Sequence, residues 1–89
     1  MSKSNKSAPV TVSVTTAATL ILAANGSRVV ANIANVSTQT VYLGRDNTVT
    51  TANGWPLGAG SNMEDRETTD AWYGIVAVGT ADVRPLEAS

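Results

Sequence analysis

The chain has 89 residues, which is enough for one small domain and too few for a multidomain enzyme. Charged residues make up 15% of the sequence and the net charge is −1, so no electrostatic field would attract nucleic acid or an anionic membrane. The absence of cysteine excludes disulfides, thiolate zinc sites and thiol catalysis, and the absence of histidine removes the commonest general base and metal ligand.

Residues 1–9 predict a flexible N-terminal arm. The stretch from Ser2 to Ser7 contains no apolar side chain that would anchor it to a core, and Pro9 separates it from the first alternating segment. The apolar segment of a secretory leader does not follow, and no apolar run approaches the length of a membrane span. We therefore expect synthesis in the cytoplasm, no membrane partner, and a single folded domain over residues 10–89.

The first half of that domain predicts β-strands, because apolar residues recur at every second position. Four segments are expected to form strands: Val10–Val14, Ala17–Ala24, Arg28–Val36 and Thr40–Gly44. The second of them also resembles a helical turn, but its short length and surrounding threonines favour a strand. In the third, the alternation predicts that Val29, Ala31 and Ile33 point inward.

The middle of the chain is richer in turn-forming residues. We expect Arg45–Asn47 to form a tight connection into a strand over Thr48–Thr51. Trp55–Gly60 is predicted to be a loop, because proline and glycine are unfavourable inside a sheet. Ser61–Glu64 fits a helix capping box, whereas Met63–Thr69 as a strand has charges on both faces and belongs at an edge; the sequence leaves both alternatives open.

Two further strands complete the domain. Trp72–Val78 is apolar on both sides, which is typical of a central strand covered from two directions. Val83–Glu87 is predicted to be an edge strand, because Pro85 has no amide proton to donate. The resulting fold class is all-β: a small antiparallel β-sandwich or barrel of seven or eight short strands, preceded by the flexible arm.

The ionisable residues do not form a recognisable site. Glu64, Asp65, Glu67 and Asp70 are close together in sequence, but their spacing matches no calcium loop and Arg66 offsets their charge. A chain of this length has little room for a catalytic cleft between opposed carboxylates. We therefore expect no enzymatic activity, no metal and no cofactor.

The Trp55-Pro56-Leu57 stretch stands out, because a tryptophan beside proline and leucine in a glycine-flanked loop does not easily fold back into a small core. One interpretation is that these side chains form an apolar surface for a protein partner, with Trp55 and Leu57 as anchors. The other is that the loop folds over one open end of the sandwich. Asn35 and Thr48–Thr51 are expected to offer exposed amides and hydroxyls to a neighbour.

Five segments, RVVANIAN from Arg28, VYLG from Val41, GWPLG from Gly54, WYGI from Trp72 and GTADV from Gly79, carry a resemblance that spans Ala17–Glu87. In their style and order the chain resembles small β-sandwich virion proteins of tailed bacteriophages, particularly capsid decoration (cement) proteins. The resemblance implies a structural protein on the outer capsid surface that bridges and stabilises neighbouring subunits of the major capsid protein, often as a homotrimer at local threefold positions.

In that role the protein would contact other proteins through the arm and the tryptophan loop. The candidate interface residues are Lys3, Lys6, Pro9, Trp55, Pro56, Leu57 and Met63. The alternatives are a tail, baseplate or head-fibre attachment adaptor, a carbohydrate-binding module, and a single-strand nucleic-acid binder. The nucleic-acid alternative is disfavoured because stacking platforms usually accompany a basic groove, and beyond the arm only four arginines are present.

Overall fold

The computed structural model describes residues 10–89, and over that range it contains eight strands and no helix. The strands are β1 (Val12–Val14), β2 (Thr19–Leu22), β3 (Val30–Asn35), β4 (Val41–Gly44), β5 (Trp55–Leu57), β6 (Asn62–Asp65), β7 (Trp72–Ile75) and β8 (Ala81–Ala88). The prediction of an all-β sandwich with seven or eight short strands is confirmed. The arm predicted for residues 1–9 lies outside the described residues.

The strands form two four-stranded antiparallel sheets that pack face to face. Sheet 1 has the order β1-β8-β3-β6 and sheet 2 the order β2-β7-β4-β5. The first four strands therefore pair with the last four in reverse order, β1 with β8, β2 with β7, β3 with β6 and β4 with β5. This is the topology of a long hairpin rolled up into a sandwich, the eight-stranded jelly roll.

The core lies between the sheets and consists of the side chains at alternate strand positions. Sheet 1 contributes Val14, Ile33, Ala81 and Val83 to it. Sheet 2 and the residue that follows β7 contribute Ile21, Val41, Leu43, Leu57, Trp72 and Val76. Packing is closest at Gly74, where an added Cβ would lie 2.8 Å from Cδ1 of Ile21 and 2.9 Å from Cγ1 of Val41. Ile21 and Val41 belong to the strands on either side of β7, and their side chains fill the space above Gly74 because β7 has no side chain at that point.

Residues 45–54 form a turn-rich loop, so the predicted strand over Thr48–Thr51 is wrong. Asp46 accepts hydrogen bonds from the amide and hydroxyl of Thr48, and Asn53 Oδ1 accepts one from the amide of Thr50 at 2.8 Å. Short polar side chains that bond to neighbouring backbone groups compete with strand pairing. Only Val49 is buried, and it packs beside Gly44.

The predicted loop over Trp55–Gly60 is also partly wrong, because Trp55–Leu57 forms strand β5 at the edge of sheet 2. A proline is tolerated there because an edge strand has only one neighbour to which it must donate. On the other sheet, Asn62–Asp65 forms the edge strand β6. Of the two alternatives left open for this segment, the edge strand is therefore correct and the helical turn is not.

Strand β8 is central, between β1 and β3, so the prediction that Pro85 marks an edge is wrong. The amide of Val36 donates to the carbonyl of Asp82 at 3.1 Å, which makes these two residues a hydrogen-bonded pair. Because such pairs alternate along an antiparallel ladder, Ile33 and Pro85 form a non-hydrogen-bonded pair. The nitrogen of Pro85 thus faces away from β3, toward the side of β8 on which β1 lies. β1 pairs with β8 only from Ala81 to Val83, so Pro85 has no partner on that side and no ladder hydrogen bond is lost.

Val29 is 51% exposed and precedes β3, so its predicted inward position is wrong, whereas Ala31 and Ile33 are fully buried as predicted. The alternation of side chains between the two faces holds only inside the strand, and Val29 precedes its first residue, Val30. The outer neighbour β6 pairs with β3 only from Ala31 to Ala34, so the ladder on that side does not extend to Val29.

Candidate binding surfaces

The outer faces of the two sheets differ in chemistry. On sheet 1, the outward positions are those that alternate with the buried residues Ile33 and Val83, and they include the charged residues Glu64, Asp82 and Arg84. This is the usual composition of a sheet surface in contact with water.

The outer face of sheet 2 has no charged residue in its four strands. Trp72 and Gly74 point into the core, which places Tyr73 and Ile75 on the outside of β7. The other strands contribute Leu20, Tyr42, Gly44 and Pro56 to the same side. We call these six residues the aromatic face.

The cross-strand register arranges the aromatic face in two rows. Leu20, Tyr73 and Gly44 are neighbours in one row, and Ile75, Tyr42 and Pro56 are neighbours in the other. Leu20 is 46% exposed, Pro56 is exposed, and the two tyrosines and the isoleucine are half-buried. Strand β7 was predicted to be covered from two directions; within residues 10–89, only the core side is covered by a sheet.

The second surface lies between the edge strands β5 and β6, where the two sheets face each other without being joined. We call this gap the mouth. Trp55 pairs with Leu43, so by register it lies on the inner side of sheet 2, yet it is 70% exposed while Leu43 is 2% exposed. An inward-facing tryptophan is therefore left in contact with solvent at the margin of the sandwich.

Two adjoining depressions form the mouth. One has a volume of about 320 Å³ and is bordered by Trp55, Asn53 and Pro56. The other has a volume of about 390 Å³ and lies toward Met63, Glu64 and Glu67 of sheet 1 and the loop after it. Arg45 and Trp72 line both depressions and separate them.

The wall between the depressions is held by a chain of polar contacts. Nε1 of Trp72 donates to Oδ2 of Asp65 at 3.2 Å, a buried bond that connects the two sheets. The second carboxylate oxygen of Asp65 accepts from the amide of Glu67 at 2.9 Å. The guanidinium of Arg45 lies 4.9 Å from the centre of the Trp72 ring, and its Nη1 is 3.4 Å from Asp70 Oδ2. Trp72 and Arg45 are thereby fixed relative to both sheets.

The 45–54 loop beside the mouth is braced internally. Hydrogen bonds from the side chain and then the backbone of Thr48 lower the pKa of the Asp46 carboxyl below its ordinary value of 3.8. The hydroxyl of Thr50 accepts hydrogen bonds from the amides of Ala52 and Asn53, each at 3.2 Å. These bonds set the path of the chain into Trp55.

A buried arginine connects three segments near the same end of the sandwich. The side chain of Arg28 is fully buried and donates to the carbonyls of Ala23 and Asp70, both at 2.7 Å. Its Nε donates to Glu87 Oε2 at 3.0 Å, and the side-chain amide of Asn25 donates to the other oxygen of that carboxylate at 3.1 Å. We call Arg28 and its contacts with Ala23, Asp70 and Glu87 the Arg28 clamp. Since Asp70 also contacts Arg45, the Arg28 clamp helps to position the wall of the mouth.

The structure separates the residues that the sequence grouped as one interface. Pro56 lies on the aromatic face and Trp55 lies at the mouth. Leu57 is 4% exposed and belongs to the core, so the prediction that it anchors a partner at the surface is wrong: its pairing with buried Val41 turns it inward. Met63 is half-buried and packs against the core from the other sheet. Lys3, Lys6 and Pro9 lie outside the described residues.

Asn35 is 1% exposed, so it offers no amide to a neighbour, contrary to the prediction. Its Nδ2 donates to the carbonyls of Gln39, Leu57 and Gly58, at 2.7, 2.9 and 3.2 Å, and its Oδ1 accepts from Ser37. Asn35 continues the inward alternation of Ala31 and Ile33, but because asparagine is polar the sequence suggested that it was exposed. A buried asparagine is stable here because its amide is fully hydrogen bonded.

Three acidic residues in and after β6 each have a separate polar partner. Glu64 pairs with Arg66, and Asp65 and Asp70 make the contacts described above. Among residues 10–89, no group of three or more potential metal ligands converges on one point.

Arg45 and the outward residues Leu20, Tyr42, Tyr73 and Ile75 were not identified as site residues from the sequence. Two sequence features pointed to Tyr42, Tyr73 and Ile75: the segment around β7 has apolar residues on both of its faces, and β4 alternates regularly. No signal was present for Arg45, because its partners come from residues 25 and 27 positions further along the chain.

Comparisons with protein-family models, with curated proteins and with solved structures give no match to this chain. None of the described residues belongs to a helix that could cross a lipid bilayer.

Proposed function

We propose that the protein is a non-enzymatic structural component of a tailed-bacteriophage virion that binds the outer surface of the capsid. There it would stabilise the shell by bridging neighbouring copies of the major capsid protein. The observation that carries this proposal is the aromatic face: two rows of apolar and aromatic side chains on the side of sheet 2 that faces away from sheet 1. The 45–54 loop covers one margin of it, where Val49 packs against Gly44, and Leu20 and Pro56 remain exposed. Uncharged, aromatic-rich patches of this kind are typical of the centres of protein interfaces.

The size of the aromatic face favours a repeated, weak contact over a tight one. Four strands spaced about 4.8 Å apart, with about three residues each, span roughly 200 Å². A standard protein interface covers about 800 Å² on each partner, so this face alone would bind weakly. On a shell that presents many equivalent sites, subunits that contact two neighbours at once gain in avidity.

The low net charge supports the same role, because a protein that packs against a shell needs no strongly charged surface. In this proposal the arm provides a second contact: Lys3, Lys6 and Pro9 would reach an adjoining subunit. Assembly as a homotrimer at local threefold positions would provide the geometry for bridging.

A tail, baseplate or head-fibre adaptor would use the same kind of face. The two functions differ in where the protein is found and in how many copies each particle carries. Electron microscopy of purified virions should show its density over the outside of the head in fixed stoichiometry. Density confined to the tail or to a single vertex would favour the adaptor.

The aromatic face can be tested with a charge placed at its margin. Leu20→Glu puts a carboxylate where a partner would exclude water, and burying an unpaired charge should weaken binding to shells that lack this protein more than tenfold. Asn62→Glu, at an exposed outward position of β6 in the other sheet, is the matched control and should bind as the unmodified protein does. Co-sedimentation of each variant with purified shells gives the affinity.

Leu20 is nearly half exposed, so the variant should retain its fold, which circular dichroism and thermal unfolding would verify. Equal shell binding by the two variants would contradict the assignment of the aromatic face. The absence of any shell binding by the unmodified protein would contradict the decoration function itself.

A further inference from the structure

We propose that the mouth between β5 and β6 binds a neutral oligosaccharide, with one sugar ring stacked on Trp55. This activity goes beyond shell binding and is centred on a different surface, which meets the aromatic face at Gly44 and Pro56. Trp55 lies on the inner side of sheet 2, whereas the aromatic face lies on its outer side. The 70% exposed indole offers a flat apolar surface with one polar edge, which suits a ring that has apolar C–H groups on its face and hydroxyls around its rim.

The shape of the mouth suits consecutive units of a chain. The two depressions, of about 320 and 390 Å³, are each near the lower end of the volumes that hold small ligands. They adjoin at the wall formed by Arg45 and Trp72 and are open to solvent along the sandwich margin. A ligand with one unit on each side of that wall would fill both.

The polar groups around the mouth match hydroxyls. Among the described residues, the hydrogen-bond partner of the Arg45 side chain is Asp70, at 3.4 Å from Nη1, so most of its donors remain available. In the other depression, the carboxylates of Glu64 and Glu67 are exposed acceptors. Because a sugar hydroxyl both donates and accepts, it can bond to either kind of group.

The charge at the mouth excludes an anionic ligand. Arg45 and Arg66 are opposed by Glu64, Asp65 and Glu67 in the depression that all five line. This excess of negative charge disfavours nucleic acid and anionic lipid, both of which require a basic surface.

A protein partner fits the mouth less well than a sugar does. Among the described residues that line it, the exposed apolar side chains are Trp55 and its neighbour Pro56, while Met63 is half-buried and Leu43 is in the core. A protein interface normally has a cluster of such anchors surrounded by a rim. A single stacking platform among charged and amide side chains is instead the composition expected for a polyhydroxylated ligand.

Hydrogen bonds support the walls of the mouth in the absence of any ligand. The Asp65–Trp72 bond connects the sheets, and the Asp46–Thr48 and Thr50–Asn53 bonds brace the loop that leads into Trp55. Binding would therefore require little ordering of the protein, which preserves affinity.

The test uses tryptophan fluorescence, because the chain has two tryptophans of opposite exposure. Trp55 is accessible to a soluble quencher such as acrylamide and Trp72, at 7% exposure, is protected. We would titrate the full-length protein with maltohexaose, cellohexaose, chitohexaose and mannohexaose. At least one of these neutral oligosaccharides should protect Trp55 from quenching in a saturable manner.

Variants then locate the site, with affinities measured by calorimetry. Trp55→Ala should lower the affinity about tenfold or more, and Arg45→Ala several-fold. Thr51→Ala, an exposed position on the same loop that does not line the mouth, is the control and should bind as the unmodified protein does. Thermal unfolding of the Trp55 variant should be unchanged, since the ring is mostly exposed.

Three results would overturn the proposal: no protection by any of the four oligosaccharides, equal affinity of the Trp55→Ala variant, or preferential binding of a proline-rich peptide or heparin. The proposal and the shell-binding function fail separately. Leu20→Glu should weaken shell binding more than tenfold and leave oligosaccharide binding intact, whereas Trp55→Ala should weaken oligosaccharide binding about tenfold or more and leave shell binding intact.

Discussion

Removal of the buried Arg28 side chain should destabilise the protein severely. Arg28→Ala removes the donor to the carbonyls of Ala23 and Asp70 and breaks the ion pair with Glu87, in a site where the arginine side chain has no solvent exposure. Breaking a buried ion pair by removing one partner costs about 3–5 kcal/mol. A domain of 89 residues has a total stability of roughly 4–13 kcal/mol, so the variant would lose a large part of it.

Urea unfolding followed by tryptophan fluorescence measures this loss directly. The midpoint should fall with an unchanged slope, and the melting temperature should drop by roughly 12 °C or more. Arg66→Ala is the control: the Glu64–Arg66 pair is exposed, with side chains 49% and 63% accessible, and should contribute less than about 1 kcal/mol. Arg28→Lys should fall between the two, because lysine keeps the charge without the planar fork. If Arg28→Ala lowers the free energy of unfolding by less than about 1 kcal/mol, the Arg28 clamp does not hold the three segments together.

Two further predictions concern the core and the loop beside the mouth. Gly74→Ala forces a Cβ to within 2.8 Å of Ile21 and should cost about 1–3 kcal/mol by thermal unfolding, whereas Gly26→Ala, with no atom within 4 Å, should cost little; equal stabilities would contradict the close packing of Ile21 and Val41 over Gly74. Because hydrogen bonds from Thr48 depress the pKa of Asp46, the bracing of the loop should be complete above pH 3.8 and be lost as the pH falls through the lower folded value. The amide resonance of Thr48 should follow that titration by NMR, and a midpoint at or above 3.8 would show that the braces are absent in solution.

The two proposed surfaces differ in how far the sequence could predict them. Tyr42, Tyr73 and Ile75 belong to strands whose alternation is plain, so their outward direction could be worked out once Val41 and Trp72 were assigned to the core. The mouth could not be predicted, because it exists only where β5 and β6 end opposite each other on different sheets. The sequence correctly singled out Trp55, but it placed the residue on a loop and grouped it with Leu57, which is buried.

The errors in the strand assignments have one physical cause. Pro85 suggested an edge, and Pro56 suggested a loop, because proline removes a donor from a strand ladder. Whether that donor is needed depends on which side of the strand has a neighbour at that residue. Pro85 is buried in a central strand because β1 ends before reaching it, and Pro56 is in a strand because β5 has a neighbour on only one side.

The pleat of an extended backbone points successive side chains to opposite sides, and that property is local. The alternation of valine, isoleucine and leucine with polar residues therefore determined, from the sequence alone, that this chain forms strands and that residues such as Ile33 and Val41 are buried. Which strands become neighbours depends on pairing between residues far apart in the chain, and only the tertiary structure decided it. That pairing leaves most of the outer side of sheet 2 and the gap beside Trp55 in contact with solvent, and so it creates the two surfaces on which the proposals rest.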